Sequence, residues 1–413
     1  MRVAVIGAGL TGLTCARLLG EYADVKVFES ESAGGLLSSY YNSERGYWIE
    51  KFYHHCFRND EHLIELIRDL RLSGKLVWRI ARTGVAVDGR IYPLNTPFEI
   101  LRYPYMRLMD KVRLARFTLR AKKRNFIDFD DVGVVEGIRD ELGDELLNDF
   151  FLPLLKSKFG ENYERVSYAW LLARVSIRSN RRYSGEELGY LKGGFQQLVE
   201  RLAEGVDIAF SKAAIAKAGE KFAVMGERFD AVVYTAPLPA LDRELRRAAG
   251  LPETKYQSSV CALIGAEEGI TEDIYWINLK NPSIFGAIIE HTNFMDFEDY
   301  GEHVIYLASY STPEGQLFNT SNDKLEKLYM KELERFGIGS ESINWIRVFK
   351  ARFSGPIYEK GYLRKITDYR TRVKGFYVAG MTSRHNYPER SMNGSIRSGI
   401  EVAKVVMEDF GLV

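Results

Sequence analysis

The sequence predicts an α/β protein organised around an N-terminal β–α–β unit. An apolar strand over residues 2–6 runs into a glycine-rich turn and then into an apolar-rich helix over 10–19. A second strand, 25–28, follows and ends at Glu29. Strand and helix patterns keep alternating up to a last strand over 375–380 and a closing helix over 400–410. Such alternation is typical of a Rossmann-like parallel sheet with helices on its faces.

The first turn carries Gly-x-Gly-x-x-Gly at Gly7, Gly9 and Gly12. Gly7 permits the tight turn, Gly9 lets the backbone approach a pyrophosphate, and Gly12 lets the helix pack on the strand. The free N–H groups and the dipole of the helix N-terminus favour an anion there. Glu29 stands at the position where an acidic side chain accepts hydrogen bonds from a ribose. Together these residues predict a dinucleotide site.

A second glycine pair, Gly34 and Gly35, follows the acidic residue directly. An NAD-dependent enzyme does not need this turn, whereas the flavin half of FAD runs back along such a loop. The pair therefore favours FAD among the dinucleotides.

Composition excludes several classes of protein. At 413 residues, the chain is long enough for two or three domains. Its 57 Lys and Arg against 56 Asp and Glu argue against a general nucleic-acid binder. Cys15, Cys56 and Cys261 fit no metal spacing and suggest a reducing compartment. No apolar run of about 18 residues is present, so no transmembrane helix is expected. These features indicate a cytoplasmic protein.

The middle of the chain supplies further elements. An aromatic strand and turn over 46–55 carries His54 and His55, and Asp88-Gly89 predicts a hairpin turn. Other predicted helices cover 61–70, 129–155 (mostly helical), 168–177, 196–202 and 322–336, and other predicted strands cover 206–210, 222–225, 229–237, 256–264 and 303–310.

Residues 102–124 hold nine basic residues and one acid. Leu108, Val112, Ala115 and Leu119 recur there at helical spacing. This pattern fits a surface helix with a solvated basic face. The alternative is a helix that contacts an anionic membrane or guides an anionic substrate.

In order along the chain, these motifs resemble the FAD-dependent amine oxidase superfamily, in particular its branch similar to protoporphyrinogen oxidase and phytoene desaturase. The resemblance rests on Val3-Ala-Val-Ile-Gly-Ala-Gly-Leu-Thr-Gly12, Gly34-Gly35 with Ser38, Lys192-Gly-Gly-Phe195, Asp230-Ala-Val-Val-Tyr-Thr-Ala-Pro237, Val378-Ala-Gly380 and Asn393-Gly-Ser395. It implies a discontinuous Rossmann-like FAD-binding domain over 1–75, 186–250 and 365–413. An α+β substrate domain over 76–185 and 251–364 would be inserted into it.

The resemblance also implies where FAD binds, without a covalent bond since no Cys lies in the C-terminal loop. Val206 and Ile208 would lie near the adenine, Gly380 near the pyrophosphate or ribityl chain, and Met392 to Gly394 at the flavin's pyrimidine edge. The implied cofactor residues are Gly7, Gly9, Leu10, Thr11, Gly12, Glu29, Ser30, Gly34, Gly35, Leu36, Leu37, Ser38, Val206, Ile208, Ala236, Pro237, Gly380, Met381, Met392, Asn393, Gly394 and Ile396.

Two positions depart from the family pattern. Leu36 stands where Arg usually follows the glycine pair, so an electrostatic contact near the flavin phosphates is missing or comes from elsewhere. The strand over 256–264 lacks the Lys that amine oxidases proper carry there. The second departure favours the desaturase-like branch.

Candidate chemistry falls into two groups. His54 and His55 are the catalytic candidates, as a general base or a hydrogen-bond donor, with a structural role as the alternative. Arg384, His385 and Tyr387 are candidates for substrate recognition, together with Arg390 in the same loop. Tyr358 either lines the cavity or belongs to an aromatic core. Arg174, Arg178, Arg181 and Arg182 form either a phosphate clamp or a solvated edge.

Three functions fit the sequence. The first is an FAD-dependent oxidoreductase that transfers a hydride between the flavin and an apolar or ring substrate. The alternative is a flavin-dependent sugar-nucleotide mutase similar to UDP-galactopyranose mutase, which the arginine-rich segments 174–182 and 384–390 favour. A non-catalytic FAD-binding module is the third. In each case, the partner is a small molecule and not nucleic acid, with peripheral membrane contact through 102–124 as an open alternative.

Overall fold

The computed structural model describes residues 1–177, 181–182 and 185–412, and a five-stranded parallel sheet carries the N-terminal turn. Its strands run in the order Asp207–Phe210, Asp24–Glu29, Arg2–Ile6, Ala231–Tyr234 and Phe376–Val378. Helix Leu10–Leu19 packs against the last helix, Met392–Asp409. The predicted α/β class with a Rossmann-like sheet is therefore confirmed.

A seven-stranded mixed sheet forms the second layer. Its order is Ile343–Pro356, Tyr256–Ala266, His303–Ser311, Ala287–Glu290, Trp276–Leu279, Thr83–Val87 and Arg90–Pro93. Its long strand Tyr256–Ala266 is buried along its whole length between two antiparallel neighbours. The predicted hairpin turn is confirmed, since Asp88 and Gly89 have φ of 50° and 76° between the last two strands.

The other strands of the described residues form three smaller sheets. Ile215–Ala218, Lys221–Val224 and Glu227–Phe229 form a meander, and Ser39–Asn42 pairs with Tyr47–Glu50. Leu76–Ala81 pairs with Gly185–Leu191, which also pairs with Arg181–Arg182.

Helices of the middle segment form a separate apolar cluster around Phe117, Val134 and Tyr168. The mostly helical segment predicted over 129–155 is interrupted at Gly143, whose φ of 86° a helix does not allow, and helix Leu152–Phe159 extends beyond the predicted end. The helices of this segment are Pro97–Arg102, Leu108–Ala121, Val134–Leu142, Asp144–Leu146, the π-turn Leu147–Phe151, Leu152–Phe159 and Tyr168–Ile177. Elsewhere the helices are Glu61–Asp69, Gln196–Ala203, Arg243–Ala248, Gln316–Asn319 and Asn322–Leu333.

The strands of the parallel sheet all fall within 1–75, 186–250 and 365–413, and those of the seven-stranded sheet within 76–185 and 251–364. The division of the chain into two domains at these boundaries stays a prediction. Among the described residues, no helix has the length and apolar character to span a bilayer.

Candidate functional site

One large cavity, of about 1310 Å³, lies between the two main sheets and the helices of the middle segment. It is larger than the ~300–1,000 Å³ of an ordinary ligand site. Every strand of the parallel sheet leads into it, since its wall includes the residues that follow the strand ends: Gly7, Ser30, Ser211, Thr235 and Gly380. This is the edge at which open α/β sheets bind ligands. We call it the main cavity.

The first glycine turn forms the floor of the main cavity. Gly7 has a φ of +104°, and a Cβ on Gly12 would lie 1.9 Å from the carbonyl oxygen of Gly7. By contrast, nothing lies within 4 Å of the place where a Cβ on Gly9 would stand. Gly9 is the N-cap of helix Leu10–Leu19, and no side chain caps that helix. The first N–H groups of the helix are therefore left for an anion to bind.

The second glycine loop is fastened to the first. The N–H of Gly34 donates to the carbonyl oxygen of Ala8 at 2.8 Å, and Gly34 has a φ of +103° that favours glycine. The N–H of Ala8 donates to Oε2 of Glu29 at 2.8 Å, while Oε1 accepts from the N–H of Glu31 at 2.9 Å. Glu29 thus holds both loops beside the main cavity.

The C-terminal segment supplies the facing wall. Ser391 caps the last helix, with its Oγ accepting from the N–H of Gly394 at 2.9 Å. Gly380 has a φ of +115° and donates to Oγ of Ser383 at 3.0 Å. Oδ1 of Asn393 accepts from the N–H of Leu63 at 3.1 Å, so this side chain ties the wall to helix Glu61–Asp69.

Most of the predicted site residues line this one cavity. They are Gly7, Gly9, Leu10, Thr11, Glu29, Ser30, Gly34, Gly35, Leu36, Leu37, Ser38, His54, His55, Ala236, Pro237, Gly380, Met381, His385, Tyr387, Met392 and Asn393.

Seven predicted site residues do not line the cavity: Gly12, Val206, Ile208, Tyr358, Arg384, Gly394 and Ile396. For Gly12 this agrees with its expected role in helix packing, and ligand contact by the other six stays a prediction. Gly12 packs on Gly7, and Ile396 is fully buried in the core. Val206 and Ile208 pack on that core, and Ser211 to Ala213 line the cavity at their end of the sheet.

The other three residues are held away from the cavity wall in different ways. A Cβ on Gly394 would lie 2.4 Å from the carbonyl oxygen of His385, so backbone packs closely there. Arg384 is exposed to solvent. Tyr358 is buried, and its hydroxyl donates to the carbonyl oxygen of Asn386. Tyr358 therefore takes the aromatic-core alternative.

His54 is held as a neutral ring. Its Nδ1 lies 2.7 Å from the carbonyl oxygen of Phe52. A carbonyl oxygen only accepts, so Nδ1 carries the hydrogen and Nε2 keeps its lone pair. Burial lowers the pKa of His54 to about 4, which disfavours a role in which the ring is protonated and charged. His55 is positioned by the hydroxyl of Tyr275, 3.2 Å from its Nδ1.

A charged cluster centred on Glu389 also lines the main cavity. Oε1 of Glu389 lies 3.0 Å from Nη1 of Arg174 and 3.7 Å from Nζ of Lys158, and Nε1 of Trp170 donates to Oε2. Burial alone would raise the pKa of Glu389, but Lys158, Arg174 and Arg390 lower it to about 2. Three cations therefore surround this carboxylate, and Glu186 is a second acidic neighbour of Arg174.

Aromatic rings line the chamber beside the Glu389 cluster. The hydroxyls of Tyr53 and Tyr310 lie 2.6 Å apart, and Tyr53 packs edge-on against Trp276 with ring centres 4.9 Å apart. Burial raises the pKa of Tyr53, so it stays neutral. The aromatic wall comprises Tyr53, Phe126, Phe151, Trp170, Trp276, Tyr310, Phe349 and Phe353.

Sequence reasoning missed Lys158, Glu389, Tyr53 and Tyr310. Glu389 lies in the loop that is predicted to recognise substrate, so its neighbours in the sequence could have identified it as a site residue. Lys158 lies in a helix that carries no motif, so no sequence signal points to it. Of the predicted arginine clamp, Arg174 joins the cluster. Arg178 lies outside the described residues, as do the side chains of Arg181 and Arg182.

Known proteins share this architecture. The model of the family described as flavin containing amine oxidoreductase matches residues 10–407. A coproporphyrinogen III oxidase of Staphylococcus aureus is 26% identical over 234 residues, which is 50% of each protein. The match thus spans half the length of this curated relative.

Two solved structures extend the likeness over the whole chain. A protein assigned as protoporphyrinogen oxidase from Exiguobacterium sp. 255-15 has a TM-score of 0.78 and 17% identity, covering 99% of both chains. A reduced UDP-galactopyranose mutase has a TM-score of 0.74 and 17% identity, covering 98% of this chain and 95% of the other. At this identity, the two structures show a common fold alone.

Proposed function

The chain belongs to the flavin containing amine oxidoreductases, and from that premise we propose that it is an FAD-dependent oxidoreductase acting on an apolar ring substrate that carries carboxylates. One observation carries this proposal. A single cavity is lined both by the two glycine loops and by aromatic rings with the cations Lys158, Arg174 and Arg390. The loops suit a cofactor, and the rings with their cations suit its substrate.

The cradle supports FAD as the cofactor. An uncapped helix N-terminus and the open space at Gly9 would take the pyrophosphate, and Glu29 would take the ribose. The two glycine loops are fastened through Gly34 and Ala8 and both line the main cavity, so the flavin half would run along them. Cys15, Cys56 and Cys261 do not line the main cavity, which supports non-covalent binding.

The chamber supports the substrate class. Contacts with the aromatic rings of Tyr53, Trp276 and Phe349 favour an apolar ring system. Arg174 and Arg390 favour anionic substituents because guanidinium groups bind carboxylates with two parallel hydrogen bonds. The relative in Staphylococcus aureus is named for coproporphyrinogen III, and a porphyrinogen combines an apolar ring with carboxylate arms.

When bound, FAD supplies a ring that accepts a hydride from a substrate carbon. The chain's own residues would bind, orient and exclude water. The Glu389 cluster would anchor the carboxylates, and the aromatic wall would hold the ring in a dry chamber. His54 would present the lone pair of Nε2 as a hydrogen-bond acceptor, since its lowered pKa keeps it neutral.

Anaerobic mixing of the flavin-loaded protein with coproporphyrinogen III tests the proposal. With the flavin-loaded protein in at least threefold excess, we expect three flavins to lose their visible absorption for each porphyrin formed, because each flavin accepts two electrons and the macrocycle gives up six. A flavin that stays oxidised, although both the FAD and the porphyrinogen are intact, would contradict the proposal.

The mutase alternative has one observation in its favour, the placement of Arg174 and Arg390 in one cavity, where they could hold a diphosphate. Incubation of the chemically reduced protein with UDP-galactopyranose separates the two functions. Ring isomerisation without net oxidation would select the mutase, and an unchanged sugar would leave the oxidoreductase.

A further inference from the structure

Helix Leu108–Ala121 turns an apolar stripe towards solvent. Leu108, Val112 and Leu119 are 66%, 46% and 67% exposed, and Ala115 between them is exposed as well. The opposite side of the helix is the one that packs inward, through Phe117 and Ala121. The helix is therefore apolar on two sides, and its outward stripe has no partner among the described residues.

The neighbouring helix extends the same surface. Helix Pro97–Arg102 contacts helix Leu108–Ala121, and its residues Phe98 and Leu101 are more than half exposed. The guanidinium of Arg102 lies 4.0 Å from the centre of the Phe98 ring, so a cation accompanies this apolar group. We call the outward side of these two helices the docking face.

Cations flank the stripe. At helical spacing, Arg113, Arg116 and Arg120 follow one side of it, and Lys111 lies on the other. Within the described ranges, Arg116, Arg120, Lys122 and Lys123 form no ion pair, whereas Arg113 pairs with Asp110 of its own helix. The positive charge along the docking face is thus largely uncompensated.

We propose that the docking face binds the surface of a bilayer containing anionic lipid, with the leucine stripe entering the headgroup region. An apolar stripe bordered by Arg and Lys is the arrangement of a helix that lies in a membrane interface. A second copy of the chain fits worse, because a symmetric contact would set Arg116 and Arg120 against like charges.

The position of the docking face suits delivery of an apolar substrate. Phe126, which follows the basic stretch along the chain, lines the main cavity. Binding to vesicles does not depend on turnover, so this inference and the proposed function can fail separately.

Co-sedimentation of the full chain with vesicles tests the docking face. We expect binding to vesicles of phosphatidylcholine and phosphatidylglycerol, weaker binding as salt rises, and little binding to phosphatidylcholine alone. The double variant Leu108→Ser/Leu119→Ser should bind roughly a hundredfold more weakly. Arg116→Glu/Arg120→Glu should lose roughly tenfold or more.

Matched controls come from other exposed positions. Phe210→Ser removes an apolar side chain that is 63% exposed, and Arg243→Glu/Arg247→Glu reverses two exposed charges at the same spacing. Both should bind like the wild type. Absence of binding to anionic vesicles, or equal losses in the controls, would overturn the proposal. So would a dimer, measured by light scattering, that becomes a monomer in the leucine variant.

Discussion

Arg174 and Glu389 stand 215 positions apart in the chain, yet Nη1 of Arg174 donates to Oε1 of Glu389 at 3.0 Å in the wall of the main cavity. One comes from a helix of the middle segment, and the other from the loop before the last helix. Lys158 and Arg390 also lower the pKa of Glu389. The pair therefore joins the middle segment to the loop before the last helix in the cavity wall.

Replacing Glu389 with Gln should destabilise the protein by about 1–3 kcal/mol near neutral pH, because three cations lose their counter-charge. The pKa of Glu389 is about 2 in the folded protein against an ordinary 4.5. The unfolded chain takes up this proton first, so the stabilisation is complete above about pH 4.5 and is lost towards about pH 2.

Urea unfolding near pH 7 and at about pH 3 measures this difference. The gap between wild type and Glu389→Gln should shrink at the lower pH. Glu253→Gln, at an exposed carboxylate, serves as the control and should show a small gap at both. A gap for Glu389→Gln that is independent of pH would contradict the ion-pair account.

Arg390 should matter for substrate affinity, and Arg384 should not. Arg390 lines the main cavity beside Glu389, whereas Arg384 in the same loop is exposed. Arg390→Gln should raise KM for a carboxylated ring roughly tenfold, because one charge-assisted hydrogen bond is lost. Steady-state kinetics of both variants checks this, and equal effects would refute the assigned geometry.

Two glycines of the first turn should respond differently to substitution. Gly12→Ala places a Cβ 1.9 Å from the carbonyl oxygen of Gly7, so it should cost about 3 kcal/mol or more in stability. Gly9→Val should change the stability of the flavin-free protein by less than about 1 kcal/mol, since its side chain enters open space.

FAD titration completes the comparison. Gly9→Val should bind FAD at least roughly a hundredfold more weakly, because the new side chain occupies the pyrophosphate position. Near-normal FAD affinity in a folded Gly9→Val protein would show that the cofactor does not lie against this turn.

His54 should make the folded protein less stable as the pH falls, because the buried neutral ring resists protonation. Burial lowers the pKa of His54 from 6.5 to about 4. Between these values, the unfolded state binds more protons, so the wild type loses stability as pH falls. His54→Gln has no such proton, and the stability gap should be smaller near pH 5 than near pH 7.

Urea midpoints of the two flavin-free proteins measure the gap, with His62→Gln on the surface of helix Glu61–Asp69 as the control. An increase of the gap at low pH would mean that His54 is charged in the folded protein.

Local patterns predicted the parts of the fold in which neighbours along the chain decide the structure. The strand–glycine–helix unit of residues 2–19 and the Asp88-Gly89 turn are of this kind, since each depends on a few dihedral angles and on apolar spacing. Sheet order depends on distant segments, so nothing local placed Ala231–Tyr234 between Arg2–Ile6 and Phe376–Val378.

The site shows the same limit. Gly9 and Gly34 can be predicted as site residues from the sequence, because each glycine at this spacing has a defined structural role in a dinucleotide site. The Glu389 cluster draws Lys158, Arg174 and Arg390 from separate segments, and no spacing in the chain reports their proximity. The sequence also does not show that the Leu108–Leu119 stripe faces solvent, because helical spacing identifies the residues on one face but not what that face contacts.

The flavin content of the purified wild-type protein shows whether the glycine-lined cradle binds FAD. The protein is saturated with FAD and freed of excess, and the flavin is then released by denaturation and identified by mass. We expect an equimolar amount of intact FAD from the wild type, and almost none from Gly9→Val. A colourless wild-type protein that takes up no FAD would contradict this expectation.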